Sequence, residues 1–223
     1  MARPLLFDVF GTLLDVHAAP VPDGMDPRTF AAVIETWRTK QLTYSWLRGL
    51  MAAPGDFADA SRDALAYALR HHGLAGTAAE STLPQAVSAL PPFPDVGQAL
   101  ERLAKAGHRL GVLTNGPPAM ARDALDQAGL GAWFDPILSA ADADRVKPHP
   151  AVYQLAVDAL HLPPQEIMLV SSNAWDIAGA AHFGLTAIWV NRTGETDEEL
   201  PAGPAHVLTS LTELPTLLGA PSD

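Results

Sequence analysis

The chain has 223 residues, no cysteine, a net charge of −11 and a hydrophobic fraction of 48%. That length accommodates one domain, or one domain carrying a sizeable insertion, and the apolar content argues against a disordered chain. The missing cysteine excludes disulfides, thiolate zinc sites and a cysteine nucleophile; the acidic balance leaves no basic footprint for nucleic acid or an anionic membrane; and no apolar run approaches the roughly 20 residues that span a bilayer.

Leu5-Leu6-Phe7 reads as a first buried strand, closed by Asp8. Asp8 interrupts the apolar run too soon for a signal peptide, so a cytoplasmic protein is expected. Residues 16–90 contain no convincing strand. Their apolar spacing at Phe30, Val33, Ile34 and Trp37, and again at Leu65 and Leu69, predicts helices, with a break at Ala52-Ala53-Pro54-Gly55. Turn-rich segments, Ala19-Pro20-Val21-Pro22-Asp23-Gly24 and Pro91-Pro92-Phe93-Pro94, bound this stretch. The expected organisation is a core of residues 1–15 and 91–223, with 16–90 as a helical insertion. His71-His72 reads as surface of that insertion, and its Lys40 and Arg48 read as solvated.

Beyond residue 91 the pattern alternates. Helical stretches near 95–106, 118–129, 150–160 and 174–183 separate apolar runs at 110–113, 167–170 and 187–190. Each run is about four residues long with no internal polar residue, as in strands buried on both faces of a parallel sheet. Strand–helix alternation predicts an α/β sheet with helices on both faces. The sequon Asn191-Arg192-Thr193 is a chance match without a secretory route, and the tail 219–223 is expected to fray.

Ligands of such sheets bind outside the carboxyl ends of the strands. The residues closing the runs are Asp8, then Thr114-Asn115-Gly116, then Ser171-Ser172-Asn173 with Asp176 following; Lys147 precedes Pro148 before a helix. Taken singly, each has a plain structural reading. Thr114-Asn115-Gly116 fits a turn, Ser172 or Asn173 fits a helix cap, Asp176 fits a helix N-terminus, and Lys147 fits a solvated loop. Their joint occurrence at successive strand ends favours chemistry.

In these residues the chain resembles the haloacid dehalogenase superfamily, and within it the L-2-haloacid dehalogenases. Phe7-Asp8-Val9-Phe10-Gly11-Thr12-Leu13-Leu14-Asp15 is similar to the first superfamily motif, Leu113-Thr114-Asn115-Gly116 to the second and Val146-Lys147-Pro148 to the third. Val170-Ser171-Ser172-Asn173-Ala174-Trp175-Asp176, and the stretch from Trp37 to Arg48, resemble the dehalogenase branch. The resemblance implies a Rossmann-like doubly wound parallel sheet with an inserted helical cap. Phosphatases of the superfamily carry a second Asp two residues after the first, which protonates the leaving alcohol and helps shape a metal site. Here that position is Phe10, and a halide needs no proton to leave. No metal and no cofactor are therefore expected.

The resemblance also implies roles. Asp8 would attack C2 of a short L-2-haloacid, expel halide and form an ester that water then hydrolyses, giving a D-2-hydroxy acid. Lys147 would pair with Asp8, and Asp176 would orient Lys147 or the water. Ser171 and Asn173 would hold Asp8 and the water, and Thr12 would steady the oxyanion. Thr114, where the branch usually has Ser, Asn115 and Arg38 would bind the carboxylate and halide. Tyr153 would support the inner residues, and Phe10, Leu42, Phe57 and Trp175 would form the apolar wall. Phe10 replaces the Tyr usual in the branch. A phosphatase of the same superfamily and a haloacetate- or fluoroacetate-preferring dehalogenase are the alternatives. The partner is a small haloacid, with neither nucleic acid nor membrane, and homodimer formation is common in the branch.

Overall fold

The computed structural model describes residues 3–220. In chain order its main elements are β1 (Leu5–Phe7), α1 (Pro27–Met51), α2 (Phe57–His71), α3 (Ala79–Ala86), α4 (Val96–Lys105), β2 (Leu110–Thr114), α5 (Pro118–Gln127), β3 (Ile137–Ser139), α6 (Pro150–Leu160), β4 (Met168–Ser171), α7 (Ala174–Phe183), β5 (Thr186–Val190) and β6 (His206–Leu208). The chain divides into two compact units, one of residues up to Leu14 together with those from Pro92 onward, the other Asp15–Pro91.

The first unit is built on one six-stranded sheet in the order β3-β2-β1-β4-β5-β6, all pairs parallel. Parallel neighbours require a crossover; α5 supplies the one from β2 to β3 and α7 the one from β4 to β5, while α6 carries the chain from β3 across to β4. Every residue of β1, β2 and β4 is buried, which is why these strands stand out as unbroken apolar runs. Leu6, Leu113, Leu169 and Ala187 pack in one cluster with Val152, Tyr153 and Ala156 of α6 and Ile177 and Ala180 of α7. Side chains alternate along a strand, so Phe7 points to the other face, where its ring meets Phe134 edge-on at 5.9 Å. The α4 stripe of Val96, Ala99, Leu100 and Leu103 follows helical spacing and is wholly buried. The strand order reverses direction between β1 and β4, and that switch point places Asp8 and the Ser171–Asn173 segment at neighbouring carboxyl ends.

β3 and β6 do not appear in the sequence pattern. Each is a three-residue edge strand; β3 is half-buried and follows Pro136, and His206 and Val207 of β6 are exposed. Neither carries an unbroken buried apolar run. The described part of the C-terminal tail is tied down rather than frayed: Gly219 N–H donates to Thr216 O at 3.0 Å and Ala220 N–H to Pro215 O at 2.8 Å. Residues 221–223 lie outside the described residues.

The second unit is helical. Asp26 caps α1 by accepting the Thr29 N–H at 2.8 Å, with Pro27 in the first turn. Asp56 and Asp59 form a reciprocal capping box on α2. The buried stripes Phe30, Val33, Ile34, Trp37, Gln41 and Ser45 of α1 and Phe57, Ala60, Ser61, Ala64, Leu65, Ala68 and Leu69 of α2 are the faces these helices bury. Ser61 pins them together, its hydroxyl accepting from Gln41 Nε2 at 2.9 Å and its carbonyl from Trp37 Nε1 at 3.2 Å. The expectation of solvated cations here is corrected: Arg48 ion-pairs with Asp63, and Lys40 Nζ lies 4.8 Å from the centre of the Tyr67 ring. Among the described residues no helix is long and apolar enough to cross a membrane.

Candidate active site

Asp8 follows β1 and is nearly covered. Its Oδ2 accepts from Thr12 Oγ1 at 3.0 Å and from Asn173 Nδ2 at 2.8 Å, while Oδ1 faces Lys147 Nζ at 3.3 Å. Gly11, at φ +89°, lets the chain turn straight back after Phe10, so that Thr12 comes round beside the carboxylate it serves. Thr12 is oriented by a second bond, its oxygen accepting the Ser172 N–H at 2.9 Å.

Thr114-Asn115-Gly116 does form a turn, but the solvated-loop reading of Lys147 and the side-chain capping reading of Asn173 do not hold. Lys147 is fully buried, with Nζ 2.7 Å from Asp176 Oδ2. Asp176 is also fully buried and takes the Tyr153 hydroxyl on Oδ1 at 2.9 Å. Asn173 sits at the N-cap of α7, but its side chain makes no capping bond; it turns instead to Asp8 and to Phe10 O, 3.3 Å away. Ser171 Oγ accepts the Asn173 N–H at 3.1 Å and so reaches Asp8 through Asn173. Asn115 Oδ1 accepts the Lys147 N–H at 2.8 Å, which ties the β2 end to the lysine loop. Thr114 Oγ1, fully buried, accepts the Gly116 N–H at 3.2 Å.

Burial pulls the Lys147 ammonium down, but the charges of Asp176 and Asp8 outweigh it and hold the group above the ordinary lysine value. Burial, together with repulsion from Asp8, pushes the Asp176 carboxyl above its usual range against the pull of Lys147. Burial and the Asp176 charge raise the Tyr153 phenol, so it remains a neutral donor. Two carboxylates are thus joined by one buried ammonium. That donor set does not fit a divalent cation: the space between the acids is filled by Lys147, and position 10 offers a phenyl ring in place of a carboxylate.

The structure therefore brings together Asp8, Thr12, Asn115, Lys147, Tyr153, Ser171, Asn173 and Asp176 by hydrogen bonds. Phe10 is buried, with Cε2 3.1 Å from where a Cβ on Gly116 would lie, so its ring backs the Thr114–Gly116 turn. Trp175 is half-buried in the first turn of α7. Arg38, Leu42 and Phe57 belong to the helical unit. There Arg38 Nη1 donates to Gln41 Oε1 at 2.7 Å, Leu42 is half-buried on α1, and Phe57 is buried at the start of α2. Sequence reasoning missed Asp95 and Arg192, which bond in fork fashion at 2.9 and 3.0 Å, and Trp189, whose Nε1 donates to Ser172 O at 3.2 Å.

A family model described as haloacid dehalogenase-like hydrolase matches residues 4–184. The chain belongs to this family. It is 41% identical to the (S)-2-haloacid dehalogenase of Pseudomonas sp. (strain YL), over 94% of this chain and 91% of that protein. Among solved structures, a dehalogenase with an intermediate complex superimposes with a TM-score of 0.90 at 38% identity, covering 99% of this chain and 98% of that one. The L-2-haloacid dehalogenase of Xanthobacter autotrophicus with chloropropionic acid covalently bound superimposes with a TM-score of 0.89 at 32% identity, covering all of both chains. The haloacid dehalogenase fold expected from the motifs is the fold of this chain.

Proposed function

We propose that this member of the family is an (S)-2-haloacid dehalogenase, a hydrolase that converts short L-2-haloacids to D-2-hydroxy acids and halide. The observation that carries the reading is the unequal dressing of Asp8: two neutral donors on Oδ2 and an ammonium facing Oδ1, with no acid at position 10. Oδ1 attacks C2 from behind and the halide leaves with the bonding electrons. Attack inverts C2, so an L-substrate gives a D-product. The resulting ester has Oδ1 as its alkoxy oxygen and Oδ2 as its carbonyl oxygen.

Water then adds to the Asp8 acyl carbon. Negative charge develops on Oδ2, where the Thr12 hydroxyl and the Asn173 amide already point. Collapse breaks the bond from that carbon to Oδ1, which departs as the product hydroxyl, beside the Lys147 ammonium. One proton of the water goes to the departing oxygen, and the other is released as Asp8 returns to its carboxylate, so each turnover yields one halide and one proton. Tyr153 and Asp176 hold Lys147 in place. The Thr114 oxygen accepts from Gly116, which leaves its own proton to donate to the substrate carboxylate. Arg38 is assigned to the same anion on charge grounds, and Leu42, Phe57, Phe10 and Trp175 to the substrate side chain, with the helical unit acting as a cap. The enzyme is read as cytoplasmic, with a small haloacid as its partner.

Halide release across fluoro-, chloro- and bromoacetate and both enantiomers of 2-chloropropionate tests the reading. L-2-Chloropropionate should give D-lactate and the D-enantiomer should be inert. With enzyme in excess in ¹⁸O-water, the first-turnover lactate should be unlabelled and the peptide holding Asp8 should gain the label. A labelled hydroxyl in that first turnover refutes the ester route. Magnesium-dependent hydrolysis of p-nitrophenyl phosphate without halide release refutes the assignment.

A further inference from the structure

We propose that Arg192, anchored by Asp95, is a positioning residue that sets Thr12 and Asn173 against Asp8 by holding Ser172; the proposal rests on the dehalogenase reading above. Ser172 is fixed at three atoms. Its N–H donates to Thr12 Oγ1 at 2.9 Å, its carbonyl accepts from Trp189 Nε1 at 3.2 Å, and its hydroxyl accepts from Arg192 Nη1 at 2.8 Å. The two donors on Asp8 Oδ2 both depend on this residue. A hydroxyl that accepts from a backbone N–H turns its own proton elsewhere, so Ser172 N–H aims the Thr12 proton at Asp8. Asn173 is the next residue along the chain.

The guanidinium suits this task. Nε and Nη2 grip the two oxygens of Asp95 at 2.9 and 3.0 Å, and the Phe93 ring lies 4.1 Å from Cζ, so the plane of the fork is fixed. Nη1 is thereby delivered to Ser172. Asp95 is itself held by the Leu211 N–H at 2.8 Å and the Ser210 hydroxyl at 3.2 Å. The loops after β5 and β6 and the start of α4 thus converge on one arginine whose remaining arm reaches the loop after β4. An ammonium at this position would lack the geometry to grip Asp95 and reach Ser172 together. Because the arm acts on the Oδ2 side of Asp8, its loss weakens ester hydrolysis more than halide displacement.

The test compares Arg192→Gln, Ser172→Ala and the double variant. Ser172→Ala leaves the Asp95–Arg192 pair intact, and so isolates the arm from the strut. The expected result is a normal burst of halide followed by hydrolysis of the ester slowed about ten- to hundredfold, with the covalent adduct accumulating on the Asp8 peptide by mass spectrometry. KM for L-2-chloropropionate should stay level or fall. The double variant should be no slower than Arg192→Gln, since both changes remove one interaction. Crystal structures of the single variants should show the Asn173 amide or the Thr12 hydroxyl withdrawn from Oδ2. Lowered Tm with unchanged kcat, additive losses in the double variant, or an unmoved Oδ2 environment each overturn the proposal. A wild-type enzyme that releases no halide overturns the dehalogenase reading instead, and the crystal structures still decide the positioning role.

Discussion

Replacing Lys147 with Met removes the cation and keeps much of the side-chain volume. At an effective dielectric of about 20, an ammonium 2.7 Å from Asp176 and 3.3 Å from Asp8 gains roughly 6 and 5 kcal/mol of gross attraction. Most of that is spent against desolvation, because all three groups are covered. The variant keeps the cost of burying the acids and loses the compensation, so a penalty of about 3–5 kcal/mol in urea unfolding at pH 7 is expected. The penalty should depend on pH in a defined sense. Burial already raises the Asp176 carboxyl above 3.8 with Lys147 in place. Without the cation it rises further, and a raised carboxyl contributes stability at low pH that is lost as pH rises through the folded value. The gap between wild type and Lys147→Met should therefore widen from acidic toward neutral pH. In the wild type, the contribution of Lys147 is fully present below 10.5 and lost as pH rises through its raised folded value. A gap that is constant between pH 4 and 8, or one that narrows, would refute the assignment of Lys147 as the counter-charge to two buried acids.

Arg38→Ala should lower kcat/KM on L-2-chloropropionate by at least about 2 kcal/mol, the scale of a hydrogen bond to a charged group, while Arg48→Ala, whose partner is Asp63, should cost little; equal losses would remove the special role of Arg38. Gly179→Ala should destabilise by about 1–3 kcal/mol in urea, because its new Cβ would lie 2.4 Å from Pro148 Cβ and 2.5 Å from the Tyr153 hydroxyl; wild-type stability would show that α7 does not press on that pair. For Asp95, burial opposes ionisation, but Arg192, the Leu211 N–H and Ser210 outweigh it and hold the carboxyl below 3.8. Its contribution is present above 3.8 and lost as pH falls through the folded value, so the Tm gap between wild type and Asp95→Asn should close in acid; a gap that persists below that range would contradict the pairing.

What the sequence makes legible follows from how local each cause is. β1, β2, β4 and β5 are visible because central strands need apolar side chains on both faces, and such runs stand out against helical periodicity. The short edge strands β3 and β6 owe their existence to neighbours rather than to their own composition. α3 carries Pro84 and few large apolar residues, so nothing in its own pattern announces a helix. Asp8, Lys147, Asn173 and Asp176 are legible because each closes or follows a readable element in a motif. Asp95 and Arg192 are not: they lie 97 residues apart, and each looks ordinary where it stands. The Asn191-Arg192-Thr193 triplet even suggests another use, whereas Asn191 spends its side chain on Glu195, donating to its carbonyl and accepting its N–H, both at 2.8 Å.

The start of α7 shows how the candidate site draws on devices that would otherwise serve the fold. Asn173 occupies an N-cap, where an Asn side chain commonly satisfies a free N–H at a value of about 1 kcal/mol. Asp176 stands in the first turn, where an exposed carboxylate would interact favourably with the positive end of the helix. The Asn173 side chain does not cap, and Asp176 is buried rather than exposed. The Asn173 amide goes to Asp8, and the Asp176 carboxylate is buried against Lys147 and Tyr153. The helix is held instead by bonds from outside its own cap: Ser171 Oγ takes the Asn173 N–H, and Trp189 and Arg192 hold Ser172. Moving the support one layer outward leaves the inner polar groups to face Asp8. It also explains why a capping reading places Asn173 and Asp176 correctly at the helix start but misses where their side chains go: the capping rules describe a helix end facing water, and this one faces a buried carboxylate.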